Sequence, residues 1–64
     1  MTARFLSRRE VAELLALPER TLAALAYKGT GPRYYRVGRH ARYRPEDVER
    51  WLETRAVEGT EDAG

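Results

Sequence analysis

Pro18 constrains this chain more than any other residue. A proline within a helix removes a backbone donor and clashes with the preceding turn, so no helix runs through it. Short apolar-periodic runs stand on either side. Val11, Leu14 and Leu15 fall at i, i+3 and i+4, one stripe of a helix over residues 7–15. Leu22 and Leu25 mark one face of a second helix over residues 19–28, with Gly29 as its stop. Two short helices joined across Ala16-Leu17-Pro18 have the layout of a helix-turn-helix. The first helix is well started. Ser7 with Glu10 three residues on makes a capping box, and Leu6 and Val11 occupy the positions of a hydrophobic staple. The second helix has no such cap, because Leu17-Pro18 precede it.

After Gly29 the period changes. Thr30-Gly31-Pro32 is a turn, and Tyr34–Val37 and Ala41–Tyr43 are strand-like runs suited to a pleat. Gly38-Arg39-His40 between them reads as a hairpin tip. Tyr35 and Val37 are expected on an apolar inner side with Arg36 opposite, and Tyr35 and Tyr43 in the core. Pro45 opens a third helix. Its stripe is Val48, Trp51 and Leu52, with Trp51 as the largest core contributor; Glu46, Asp47 and Glu49 are expected to face solvent. The expected fold class is α+β, mainly α: a winged helix-turn-helix with a two-stranded hairpin wing and a C-terminal third helix. Residues 1–5 read as an arm, 6–55 as the domain and 56–64 as a disordered acidic tail.

Charge is distributed unevenly. Residues 1–44 hold ten Lys or Arg against three acids, and residues 45–64 hold two against seven. One part of the surface therefore suits a polyanion and the other does not. With 64 residues and no cysteine, the chain has room for one small domain and no disulfide or thiolate metal site. No stretch reaches the roughly 18 apolar residues of a membrane span, and Met1–Phe5 does not lead into a signal-peptide core. A cytoplasmic protein is expected. The single histidine, His40, falls on the hairpin tip and the acids cluster late in the chain, so no nucleophile–base–orienter set assembles. No enzyme activity, catalytic residue, metal or cofactor is expected.

A longer string resembles a known group. Ser-Arg-Arg-Glu-Val-Ala-Glu-Leu-Leu (7–15), Glu-Arg-Thr-Leu (19–22), Gly-Thr-Gly-Pro (29–32), Arg-Val-Gly-Arg (36–39) and Arg-Tyr-Arg-Pro-Glu-Asp-Val-Glu-Arg-Trp-Leu (42–52) together resemble phage excisionase and AlpA-like proteins of the MerR-like winged-helix superfamily. The likeness covers about residues 5–55. It implies a second helix in the major groove and a wing on adjacent backbone or minor groove. By position, Arg20, Thr21, Tyr27 and Lys28 match the DNA-facing part of the second helix, and Arg36, Arg39 and Arg42 match the wing, with His40 at its tip. Where relatives carry polar or basic residues along that helix, this chain has Ala23-Ala24-Leu25-Ala26.

Each candidate has a chemical reason. Arg20 suits a bidentate guanine contact, with a phosphate contact or a solvated Arg as the alternative. Thr21 suits a phosphate or merely finishes the first turn of the helix; Ala23 and Ala24 read first as plain helix formers, with a thymine methyl as the base contact open to them. Tyr27 and Lys28 suit phosphate, with packing on the wing as the alternative for Tyr27. Arg8 and Arg9 open the first helix, whose N–H groups form a positive end for a phosphate. The Arg residues of the wing give affinity and register rather than sequence.

Two roles share this domain: an excisionase-like recombination directionality factor that bends DNA, and a small transcriptional regulator of phage or mobile-element genes. The length leaves no room for a coiled-coil dimerisation helix, so the expectation is a free monomer that binds repeated sites cooperatively, with modest selectivity per copy. Double-stranded DNA is the expected partner, and integrase or RNA polymerase the expected protein. A third reading, of another class, is a protein-interaction module that uses the acidic third helix.

Overall fold

The computed structural model describes residues 4–58. Three helices, α1 (Arg8–Leu15), α2 (Glu19–Lys28) and α3 (Pro45–Glu53), combine with β1 (Leu6–Ser7), β2 (Tyr35–Val37) and β3 (His40–Tyr43). The strands form one antiparallel sheet in the order β1-β3-β2. This is the winged helix-turn-helix architecture, mainly helical. The short β1 is an addition to the expected hairpin: Leu6 pairs with Tyr43 and Ser7 with Arg42, so the residue that caps α1 also closes the sheet.

The capping box forms in both directions. The Glu10 N–H donates to Ser7 Oγ at 3.0 Å and the Ser7 N–H donates to Glu10 Oε1 at 2.8 Å. Ala16 ends α1 in the left-handed region, at φ 58°, unusual for a residue with a Cβ. The Leu17 N–H then closes onto Ala12 O at 2.8 Å, and the chain turns within three residues. Pro18, in an extended conformation, precedes α2 without a side-chain cap. The wing turn is Gly38-Arg39, because His40 already pairs with Val37 in the ladder. Gly38 has φ 65° and Arg39 is not left-handed, the pattern of a type II′ hairpin turn.

Val11, Ala12, Leu22, Tyr43 and Val48 are the buried core, and Leu6, Leu15, Tyr34 and Ala41 pack around it. Five expectations about burial change. The inner side of the wing is formed by Tyr34, Ala41 and Tyr43, with the Tyr34 and Tyr43 rings 5.5 Å apart, and not by Tyr35 and Val37. Because side chains alternate, fixing Tyr43 inward puts its neighbour Arg42, and Tyr35 opposite Arg42, on the outer face. Val37 is exposed accordingly. Leu14 is also exposed, so α1 buries Val11 and Ala12 instead of its expected full stripe.

Trp51 is half-buried outside the core and serves as a clamp. Its indole N–H donates to Thr30 O at 2.8 Å; Arg55 donates to the same oxygen at 3.0 Å and stacks 4.8 Å from the ring. The turn after α2 is thereby tied to the end of α3. Leu52 is partly exposed. Asp47, expected in solvent, is 4% exposed. Its Oδ1 accepts from Arg50 at 3.3 Å, while its Oδ2 makes no hydrogen bond to a described residue and has Arg44 Nε, 3.9 Å away, as a counter-charge. The tail expected over 56–64 lies, from residue 59 onward, outside the described residues, as does the arm before Arg4.

Candidate nucleic-acid interface

Two surfaces gather the candidate residues. The first is a cleft of about 400 Å³ between the start of α1 and the wing. Arg8, Arg9, Arg39, His40 and Arg42 line it, with Glu19 as the one acid. The type II′ turn projects Arg39, which has no ion pair with another described residue. Arg42 is half-buried and donates to Ala41 O at 2.8 Å. Arg8 is held by its neighbours: Nε donates to the Tyr43 hydroxyl at 3.1 Å and the guanidinium lies 5.2 Å from the Tyr34 ring. Partial burial is the largest single influence and works against its charge, but the hydroxyls of Tyr43 and Tyr34 together outweigh it and raise the pKa above the ordinary arginine value. Arg9 is exposed and 3.8 Å from Glu13. Such surface pairs are weak and break readily.

The second surface is the outer side of α2. At about 100° per residue, Arg20, Ala24 and Tyr27 share one side of the helix and Leu22 lies nearly opposite. Burial agrees: Leu22 is fully buried, whereas Arg20, Ala24, Tyr27 and Lys28 are exposed. Tyr27 is 93% exposed, which excludes the alternative that it packs on the wing. Thr21 is half-buried at the flank of the stripe. Glu19, the first residue of α2, lines the cleft and so joins the two surfaces.

Arg36 is not brought into the cleft. It shares the Tyr34 side of the sheet, 6.0 Å from that ring, with Nη2 at 3.5 Å from the Tyr34 hydroxyl. The sequence reading missed Glu19 as a cleft residue and missed an arginine–tyrosine cluster on the outer sheet face. There Arg33 and Arg44 lie 5.2 Å and 5.9 Å from the Tyr35 ring, and Arg44 donates to the Tyr35 hydroxyl at 3.1 Å. Correct strand parity would have revealed it.

The acids are mostly elsewhere. Glu46, Glu49 and Glu53, with Arg50 and Leu52, line a shallow depression on α3. Glu46 is held below the ordinary glutamate range, first by its own backbone N–H and then by Arg44. Among the described residues no cluster of His, Asp or Glu could hold a metal ion, and no helix is long and apolar enough to cross a membrane.

A helix-turn-helix with an exposed second helix and a basic hairpin beside it defines the winged helix-turn-helix class, whose common ligand is double-stranded DNA. A family model described as a helix-turn-helix domain matches residues 5–56, and the chain belongs to that family, which includes excisionase- and AlpA-like proteins. The family is a DNA-binding one and typically not enzymatic. No curated protein gives a match to the chain.

Proposed function

We propose that this protein is a sequence-selective binder of double-stranded DNA with an excisionase-like architectural role, setting α2 in the major groove and the wing on the neighbouring backbone. One observation carries the reading: the cleft of Arg8, Arg9, Arg39, His40 and Arg42 meets the start of α2 at Glu19, so phosphate-binding and base-facing surfaces are continuous. The start of α2 has no side-chain cap, which leaves N–H donors for a phosphate at the positive end of the helix. Arg20 and the stripe behind it face the bases, and Thr21 and Lys28 border them. Deep selectivity is not built into a helix whose centre is alanine. Affinity then rests on the wing, and selectivity accumulates as copies bind adjacent repeats and bend the duplex.

The acidic outer side of α3, with Leu52 at its edge, points away in charge from DNA and suits a protein partner such as integrase or RNA polymerase. The test is selection from a random duplex pool at two salt concentrations, followed by bending and cooperativity measurements on the selected site. Enrichment of a short repeated motif, steep loss of affinity with salt and a bent, cooperative complex are expected. A straight, non-cooperative complex would leave a small transcriptional regulator as the role. No retention at low salt would end the DNA reading.

A further inference from the structure

The outer stripe of α2 is chemically unusual for a surface meant to read bases. It offers one guanidinium, Arg20, then a bare methyl, Ala24, then a phenol, Tyr27, and it buries none of them. Arg20 engages no other described side chain in a hydrogen bond or ion pair, so its donor fork is open to a ligand. Ala24 has no donor or acceptor beyond the backbone, which the helix already uses. In the major groove, the base-edge groups that an unsubstituted methyl and a ring edge can recognise are thymine 5-methyl groups, while a free guanidinium matches O6 and N7 of guanine.

Spacing turns these preferences into a site. Arg20 to Tyr27 spans seven residues, roughly 10 Å of helix, or about three steps of a DNA strand. Ala24 lies about 6 Å from Arg20 along the axis. Ala23 is half-buried and takes less part than its exposed neighbour. We infer that α2 reads a guanine with Arg20 and, within the following three base pairs, thymine methyl groups with Ala24 and the Tyr27 ring, so that the preferred site is a G beside a T-rich step. This deepens the duplex-binding reading and rests on it. It assigns Tyr27 a base-facing role in place of a phosphate contact.

Deoxyuridine keeps the pairing and the O4 acceptor of thymine and lacks only the methyl, so it isolates the contact. The full chain is titrated with its selected duplex and with duplexes in which each thymine in turn is replaced by uracil. One or two positions next to the guanine are expected to lose about fourfold in affinity per methyl, with no change in salt dependence. In Ala24→Ser, whose folding is checked by circular dichroism, the uracil penalty at one of these positions falls towards none. In Tyr27→Ala it falls at the other. Equal affinity for thymine and uracil duplexes, with salt-dependent binding intact, overturns this inference and leaves the DNA reading standing, as does a selected site without thymine. Failure to bind any duplex overturns both.

Discussion

α1 and α2 are consecutive, similar in length and packed on each other, yet they are finished differently. α1 has a reciprocal cap at its start, a strand fused to that cap and two residues in the core. α2 starts on a proline without a side-chain cap and buries Leu22 alone. Local interactions are concentrated at the start of α1, where the cap borders the basic cleft, and α2, with its exposed stripe, is held mainly by what lies behind it. The division is physical: a donor or side chain already satisfied inside the protein is not available to a ligand.

The sharpest way to break this contrast is to damage the support and the reading surface separately. Tyr43 is fully buried, packs on Tyr34 and accepts from Arg8. Tyr43→Ala should cost about 3–5 kcal/mol, enough to unfold most of a domain this small, as read by urea denaturation. Tyr27→Ala, on an exposed face, should change stability by no more than about 0.5 kcal/mol. Comparable losses from the two would mean that α2 is not the free surface described here.

The wing comes next. Arg39→Ala with Arg42→Ala should weaken binding to all duplexes alike and lower the slope of affinity against salt by roughly two, one for each phosphate contact removed. A change confined to certain sequences would instead make the wing a reader of groove shape. Ser7→Ala should cost about 1 kcal/mol with the salt slope unchanged, measured by thermal unfolding and by binding at two salt concentrations. An effect on binding larger than on folding would put the α1 cap into the interface.

Both helices, the wing and the α1 cap were legible because each leaves a local mark: Pro18, Gly29, the Ser7–Glu10 spacing, and the change of period after Pro32. What the chain does not mark locally is which side of a strand faces inward. Tyr34 and Tyr35 are both aromatic, and the β2–β3 register, with Tyr35 opposite Arg42 while Tyr43 is buried, settles that Tyr34 is the inner one. The expected tip, Gly38-Arg39-His40, is one residue longer than the Gly38-Arg39 turn that forms, and that residue reverses the parity; β1, with two residues, carries too little alternation to be read at all. Asp47 was misjudged for a similar reason. A carboxylate in a first helical turn ordinarily points to water, and here Arg44 and Arg50 make its burial tolerable. Of the candidate site, the residues of α2 came from the resemblance, and the helix sets Arg20, Ala24 and Tyr27 on one exposed side, whereas the meeting of Arg8 and Arg9 with Arg39, His40 and Arg42 depends on a tertiary fold-back that no local pattern encodes.

The smallest expected effect tests whether the α1 cap is electrostatic as well as geometric. The Glu10 carboxyl is held below the ordinary glutamate range, chiefly by the Ser7 backbone N–H, with Arg4 adding to the effect at 3.2 Å while desolvation opposes it. A group whose pKa is lowered on folding binds its proton more readily in the unfolded chain, so it favours the folded state above the ordinary glutamate pKa. That contribution disappears as pH falls through the ordinary glutamate value and then through the lower folded one. Glu46 shifts in the same direction and contributes to the same acid limb. Glu10→Gln retains an acceptor for the Ser7 N–H, which a capping box tolerates, and removes the titration. Thermal unfolding followed against pH should therefore show a shallower acid decline for Glu10→Gln, with a small loss of stability at neutral pH that vanishes at acid pH. Glu46→Gln should produce a separate flattening, and the two should add, because the groups sit at the starts of different helices. An acid limb left unchanged by Glu10→Gln would reduce the α1 cap to geometry alone, and the contrast with α2 would then rest on the core.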